Sequence, residues 1–565
     1  MAARTPKSAR RGIQMLTSAT YLAATLALGL AVADRVLPKN NLLAAYPLGM
    51  LASTWAVFLA SLALGFNEAS IIAASTLCLA AAYGLHKKKA FQPRIQKQLV
   101  PLAIISLLAF AAIHYATFHY SNENLNGIPT DFGFHHGIIT SLANKNFPPE
   151  NPFYAGEPFN YYYFNHLHSA TLLKGGLPLQ AASLLPQILV NASLVALLYL
   201  LAKKFFPKKR VLPYVFIAIF LLNGTLVFLE NQAIINEFIQ STFRNSGYPF
   251  ETILMSVLLL GRVASVGIFI VILTLLKKEN AWLLGLLPMF HLFSFVLGFA
   301  YLACYALFFE RKKIVARAKQ LALPAAMAAP QLAFLLLNNS AANSIRFQLG
   351  WLSAGQDPAS IAVFWFNNLG PYLFLGALGY YTVKNDEVKK VFLALLPPAI
   401  LANLFIFTPY DWDNFKFFVF FFLGLCLLAA YGLDWVWNKK TWGKILAVAL
   451  FLVMIASGIM ALTTLLQHSD EPIYTARQIQ QCKWIDENTP KDAVFAIQPN
   501  SINCIYSLAG RKVFLGFEEW VRNHGLDFDA RIRANEEFLN GNCFDSGLRS
   551  IWIIGDYDQP TEIEC

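Results

Sequence analysis

The chain has 565 residues, 56% of them hydrophobic and 14% charged, with a formal net charge of +11. Soluble domains carry about 25% charged residues, so an ordinary soluble enzyme is excluded, and the alternating pattern of a membrane barrel is absent. The positive charge lies in short connections ("HKKK" 86–89, "KKFFPKKR" 203–210, "KK" 277–278, "ERKK" 310–313, "KNDEVKK" 384–390, "NKK" 438–440); that is the positive-inside pattern of cytoplasmic loops, not the single basic face that nucleic acid requires.

Apolar runs of about 18 residues or more can cross a bilayer as helices, the form that satisfies the backbone in lipid. In chain order they are expected at 15–33, 42–65, 68–85, 99–117, 183–202, 211–229, 252–276, 281–309, 319–337, 361–382, 391–408, 417–437 and 444–466. The fold class is therefore an all-α polytopic membrane protein of about 13 transmembrane helices, spanning 1–466. Pro288 and His291 interrupt the run 281–309, which reads as two half-helices or one broken helix. With the basic loops inside, the connections 118–182, 230–250, 338–360 and 409–416 and the tail from 467 fall outside. The basic N-terminus conflicts with this parity, because three runs precede the loop 86–98. Either one early run does not cross or the N-terminus is outside.

The first large external connection, 118–182, holds Asp131, His135, His136, Glu157, Tyr161, Tyr162, Tyr163, His166 and His168. If "NYYYFNHLHSATLL" is helical, Tyr162 shares a face with His166, and Tyr161 with His168. Tyrosines at this position also fit an interfacial aromatic belt. Arg262 lies within an apolar run, where a guanidinium costs about 2.5–3.5 kcal/mol on insertion scales and calls for an anion or a cavity. His291 sits at its helix break. Asp411, Asp413, Asn414 and Lys416 gather in "FTPYDWDNFKFF", between two apolar runs. The tail 467–565 is polar. "IYTARQIQQCKWIDENTP" has helical spacing, and "DAVFAI", "KVFLGF" and "RSIWIIG" read as short strands, so a small α/β extracytoplasmic domain is expected. Its Cys482, Cys504, Cys543 and Cys565 allow disulfides in an oxidising compartment, in three pairings.

The segment "DFGFHHGIITSLANKNFPPENPFYAGEPFNYYYFNHLHSATLLKGGLP" resembles the characteristic stretch of an archaeal and bacterial family of uncharacterised membrane proteins named for its YYY triplet. "ADRVLPKNNLLAAYPLGMLASTWAVFLASLALG" is similar to that family's early region, with looser likenesses at "DWDNFK" and "LAGRKVFLGFEEWVRNHG". The family is grouped with the GT-C superfamily of polytopic glycosyltransferases. The resemblance implies transfer of a sugar from a polyprenyl-phosphate donor to a glycan, lipid or protein acceptor outside the cytoplasm. Asp131 matches the position of that superfamily's first-loop acid. Where the family carries a Glu shortly before this Asp, the chain reads "GIPTD", with Glu123 further upstream.

That chemistry needs a carboxylate or His to take the acceptor's proton, which makes Asp131, His135 and His166 the catalytic candidates. It needs cations at the departing phosphate, which Arg262 and Lys416 would supply. Glu157, the three tyrosines, His291, Asp411, Asp413 and Asn414 are candidates for holding substrate. The sequence establishes no cofactor. A divalent cation is compatible with Asp131, His135, His136, His166 and His168 as ligand types, but their spacing is not diagnostic. A transporter or flippase of lipid-linked sugars, and a non-catalytic envelope assembly protein, are the alternatives.

Overall fold

The computed structural model describes residues 7–86, 92–128, 131–224, 226, 253–254, 264–337, 345–543, 550–554 and 560–564. The chain is a mostly helical, multi-pass membrane protein. Among the described residues eight helices are long and apolar enough to cross a membrane: Met15–Val36, Asn41–Leu64, Glu68–His86, Lys97–Thr117, Leu179–Phe205, Pro288–Phe309, Asp411–Trp437 and Thr441–Gln467.

The other expected spans take different forms. Only the short helices Leu212–Leu221 and Ala264–Leu276 are described within 211–229 and 252–276. The run 361–382 is two helices, Pro358–Leu369 and Pro371–Thr382, meeting at 90°. Gly370, at φ +47, turns the chain there, and Pro371 starts the second helix. Helices Ile314–Leu337 and Asp386–Leu404 replace 319–337 and 391–408; each carries two internal prolines, and the second opens with "DEVKK".

The chain divides into two compact units, Met1–Ser193 with Phe334–Ser340 and Ser469–Cys565, and Leu194–Ala333 with Ala341–His468. The first unit contains α1 (Lys7–Val36), α2 (Asn41–Leu64), α3 (Glu68–His86) and α4 (Val100–Thr117). It continues through strands β1 (Phe118–Ser121) and β2 (Asn124–Gly127) to α5 (Phe132–Ala143), α6 (Phe164–Lys174) and the start of α7 (Leu179–Phe205). Asn122 and Glu123, both at positive φ, form the two-residue turn between β1 and β2 that antiparallel strands favour. Glu123 is thereby placed at an exposed hairpin tip.

The tail, Ser469–Cys565, belongs to this unit. Its first strand, Pro472–Tyr474, pairs with β2. Helix Ala476–Asn488 follows, opened by a capping box on Thr475 and Gln478. The buried Arg511 guanidinium donates to the carbonyls of Ile485, Asp486 and Thr489, closing the helix's C-terminal end. The strands expected at 492–497, 512–517 and 549–555 appear as Val494–Phe495, Lys512–Val513 and Ser550–Ile554, and Pro560–Glu564 completes the four-stranded sheet. Cys482 pairs with Cys504, and Cys543 is also disulfide-bonded. Cys565 lies outside the described residues.

The Pro-rich segment ahead of α6 completes the tail's core. The Ala155 N–H donates to Val513 O (3.0 Å), Val513 N–H to Pro152 O (2.9 Å) and Gly516 N–H to Phe153 O (2.8 Å). Lys512 pairs with Glu150 at 2.5 Å. Tyr154 and Ala155 are buried in one cluster with Val494, Phe514, Val521, Phe538 and Ile551. Arg531 stacks on the Tyr154 ring at 3.6 Å and donates to Ala155 O.

Helix α5 meets the tail at close range because Gly133 and Gly137 present no side chain. A Cβ on Gly133 would lie 2.2 Å from Ser501 O, and one on Gly137 would lie 2.9 Å from the Phe153 ring. One and two turns on, Thr140 donates to Tyr506 O and Asn144 to Ala509 O. Gly133→Val is therefore expected to destabilise the detergent-purified protein by about 1–3 kcal/mol and to speed proteolysis of the tail. Gly84→Ala, where an added Cβ meets nothing within 4 Å, is expected to do neither.

Candidate functional site

The site is built on α5 and α6. Asp131 caps the N-terminus of α5 in the left-handed region, at φ +54. That conformation costs most L-residues about 1–2 kcal/mol, Asp being among the better tolerated. Strain of this kind concentrates at functional positions. The Asp131 carbonyl accepts from the His135 N–H, one turn on, and its side chain is half-buried.

His135 Nδ1 and His166 Nε2 are 2.8 Å apart, and the ring planes differ by 12°. Both side chains are buried, and Nδ1 of His166 has no hydrogen-bond partner. Burial, reinforced by the neighbouring His135 and His136, holds the His166 pKa well below its ordinary 6.5. Tyr161 is half-buried, its ring centroid 5.9 Å from that of His166, 5.7 Å from that of His524 and stacked at 4.1 Å on Tyr162. His524 donates from Nδ1 to Trp520 O, and burial lowers its pKa.

The tyrosine triplet is not helical. Helix α6 starts at Phe164, because the preceding chain is held extended by the Glu150–Pro158 bridge and by the Phe159 N–H bond to Pro149 O. The helical face-sharing expected for Tyr162 with His166 and Tyr161 with His168 therefore does not arise. Tyr162 and Tyr163 are 9% and 2% exposed, packed inside the protein instead of standing at headgroup level. Glu157 serves the loop through its backbone, its carbonyl accepting from Asn151 N–H at 2.7 Å.

His136 and His168 are engaged by other partners. His136 Nδ1 donates to Phe132 O, and Nε2 accepts from Ser183; burial moves its pKa down to about 4. His168 meets Tyr21 of α1 and both Tyr46 and Thr54 of α2, within 3.1 Å. It ties α6 to those helices, and its burial lowers its pKa to about 3. Among the described residues no group of three or more His, Cys, Asp or Glu is gathered to hold a metal ion.

The second unit holds the other candidates. Asp413 is buried and paired with Lys416 at 2.7 Å. Asp411 pairs with Arg346, and its carbonyl accepts from the Trp351 indole. Asn414 is fully occupied by backbone, accepting from Phe407 N–H and donating to Ala402 O and Phe405 O. His291 breaks the helix Pro288–Phe309, at φ −161 and ψ 95. Its Nδ1 accepts from Ser294 N–H, capping the turn that restarts. Arg262 lies outside the described residues.

Sequence reading missed the contribution of the tail. Arg511, Trp520 and His524 lie in "LAGRKVFLGFEEWVRNHG", the stretch already likened to the YYY-triplet family. Trp520 meets Phe134 of α5 and His524 meets Tyr161, residues more than 360 positions earlier and beyond any local pattern.

Residues 50–251, less than half of the chain, match the model of an uncharacterized membrane protein family, DUF2298. The matched stretch runs from α2 past the tyrosine triplet. No curated protein matches the chain.

The lowered pKa of His136 has a consequence for stability. Above pH about 6.5 this histidine is neutral in folded and unfolded chains alike. As pH falls toward about 4 the unfolded chain binds a proton that the folded one refuses, so stability is lost across that window. The thermal midpoint should fall between pH 7 and 4.5, and His136→Gln should flatten the fall. A slope unchanged by that substitution would place the acid sensitivity elsewhere.

Proposed function

We propose that the protein is a membrane glycosyltransferase that moves a sugar from a polyprenyl-phosphate donor to a hydroxyl acceptor on the extracytoplasmic side. The observation that carries the reading is the buried His135–His166 pair, one turn of α5 beyond the strained Asp131. A transferase of this kind needs a basic group near the acceptor hydroxyl and a rigid wall to hold the reacting atoms. The first external segment, braced by the tail, supplies both. Asp131 acts as the base or as the acid that positions the acceptor, and Tyr161 offers a ring face to the sugar. The reading retains thirteen crossings, an extracytoplasmic loop and tail opposite the basic connections, and α/β character in the tail.

A transporter or flippase of lipid-linked sugars is the second reading. The 90° break between Pro358–Leu369 and Pro371–Thr382 favours it, because transporters build their sites from discontinuous helices.

Transfer of labelled sugar from a polyprenyl-phosphate donor by the purified protein separates the two. Asp131→Asn is expected to lower the rate by about 10²–10⁴-fold, with expression and donor binding near normal. Full activity in that variant would contradict the role of Asp131, and donor movement without transfer would favour the transporter.

A further inference from the structure

The hydrogen bond between His135 and His166 contains one proton, and its placement fixes the chemistry of the second His166 nitrogen. If His135 Nδ1 were the donor, His166 would carry its own proton on Nδ1, a buried N–H without an acceptor. Orphaned buried N–H groups are rare. The other tautomer avoids this. His166 donates from Nε2 to His135 Nδ1, and its Nδ1 is left as a bare lone pair. The neighbouring His136 shows the same economy, with its one proton spent on the Phe132 carbonyl and its second nitrogen taking the Ser183 hydroxyl. His168 likewise has partners on both ring nitrogens. Of these three buried histidines, His166 alone keeps a nitrogen without one.

We infer that His166 Nδ1 is the atom that takes the acceptor's proton, and that His135 is the positioning residue that holds it in the receptive tautomer. The inference rests on the transferase reading and deepens it. The acceptor O–H bond breaks and its proton passes to Nδ1, while the oxygen forms the new bond to the anomeric carbon. The bond from that carbon to the phosphate oxygen breaks, and its electron pair leaves with the polyprenyl phosphate. The imidazolium so formed is stabilised by its Nε2–H bond to His135. A buried imidazole held neutral is available as a base at neutral pH.

Three variants of the full-length protein in nanodiscs test this. His166→Gln can still reach His135 through an amide in place of Nε2 but has nothing at Nδ1. It should lose at least about 10²-fold in kcat and keep the wild-type thermal midpoint. His135→Asn, whose amide oxygen stands where Nδ1 was, should retain transfer within about tenfold, whereas His135→Leu should lose it as His166→Gln does. Solid-state ¹⁵N spectra of the wild type should show His166 protonated at Nε2 and bare at Nδ1. A proton on Nδ1, or near-normal kcat in His166→Gln, would overturn the inference while leaving the transferase reading intact. A wild-type protein that transfers no sugar overturns the transferase reading and the proton-accepting role with it; the spectra then still decide the arrangement of the pair.

Discussion

The backbone pairing between the Pro-rich segment and the tail strand Lys512–Val513 is the constraint on which the first unit depends. Prolines at 148, 149, 152 and 158 fix their own φ and have no N–H to give, so the segment cannot fold as a helix. Its remaining polar groups must find partners elsewhere. They find them in the tail: Pro152 O and Ala155 N–H bracket Val513, and Phe153 O takes Gly516 N–H. Glu150 and Lys512 close one end, and Arg531 over Tyr154 closes the other. The core on that side is then shared between chain segments about 360 residues apart, and neither buries it alone.

From that contact the site follows. Docking of the segment delivers Tyr161 extended to the head of α6 and stacks Phe134, Phe153 and Trp520 between α5 and the tail. Glycines at 133 and 137 let α5 approach closely enough for this. His135 and His166 are thereby brought within one hydrogen bond, in buried surroundings that disfavour a charge on His166. In the same apolar surroundings His136 and His168 bond to a carbonyl and to hydroxyls, which occupy both nitrogens of each ring. The loop and the tail belong to one compact unit.

What was legible in the sequence was whatever is written locally. Eight of the apolar runs are helices long enough to cross, and the tail's helix and three strands lie where spacing and punctuation placed them. The break near His291 was also visible, since Pro288 and a polar residue in an apolar run leave few alternatives. The tyrosine triplet misled because "NYYYFNHLHSATLL" has helical spacing throughout. Only the distant contacts of residues 149–159 show that the helix must wait until Phe164. Likewise "DWDNFK" read as one polar cluster, yet Asn414 is spent on backbone and the two aspartates pair with different cations. Side-chain bookkeeping of this kind depends on tertiary neighbours that no short window contains.

Hydrogen exchange on the full-length protein tests most directly whether loop and tail form one cooperative wall. Peptides covering 151–157 and 511–517 should exchange with the same protection, and Arg531→Ala should lower both together while leaving peptides from α2 unchanged. Protection of the tail peptide that persists while the loop peptide exchanges freely would contradict the account, because the tail would then fold without the segment that completes its core.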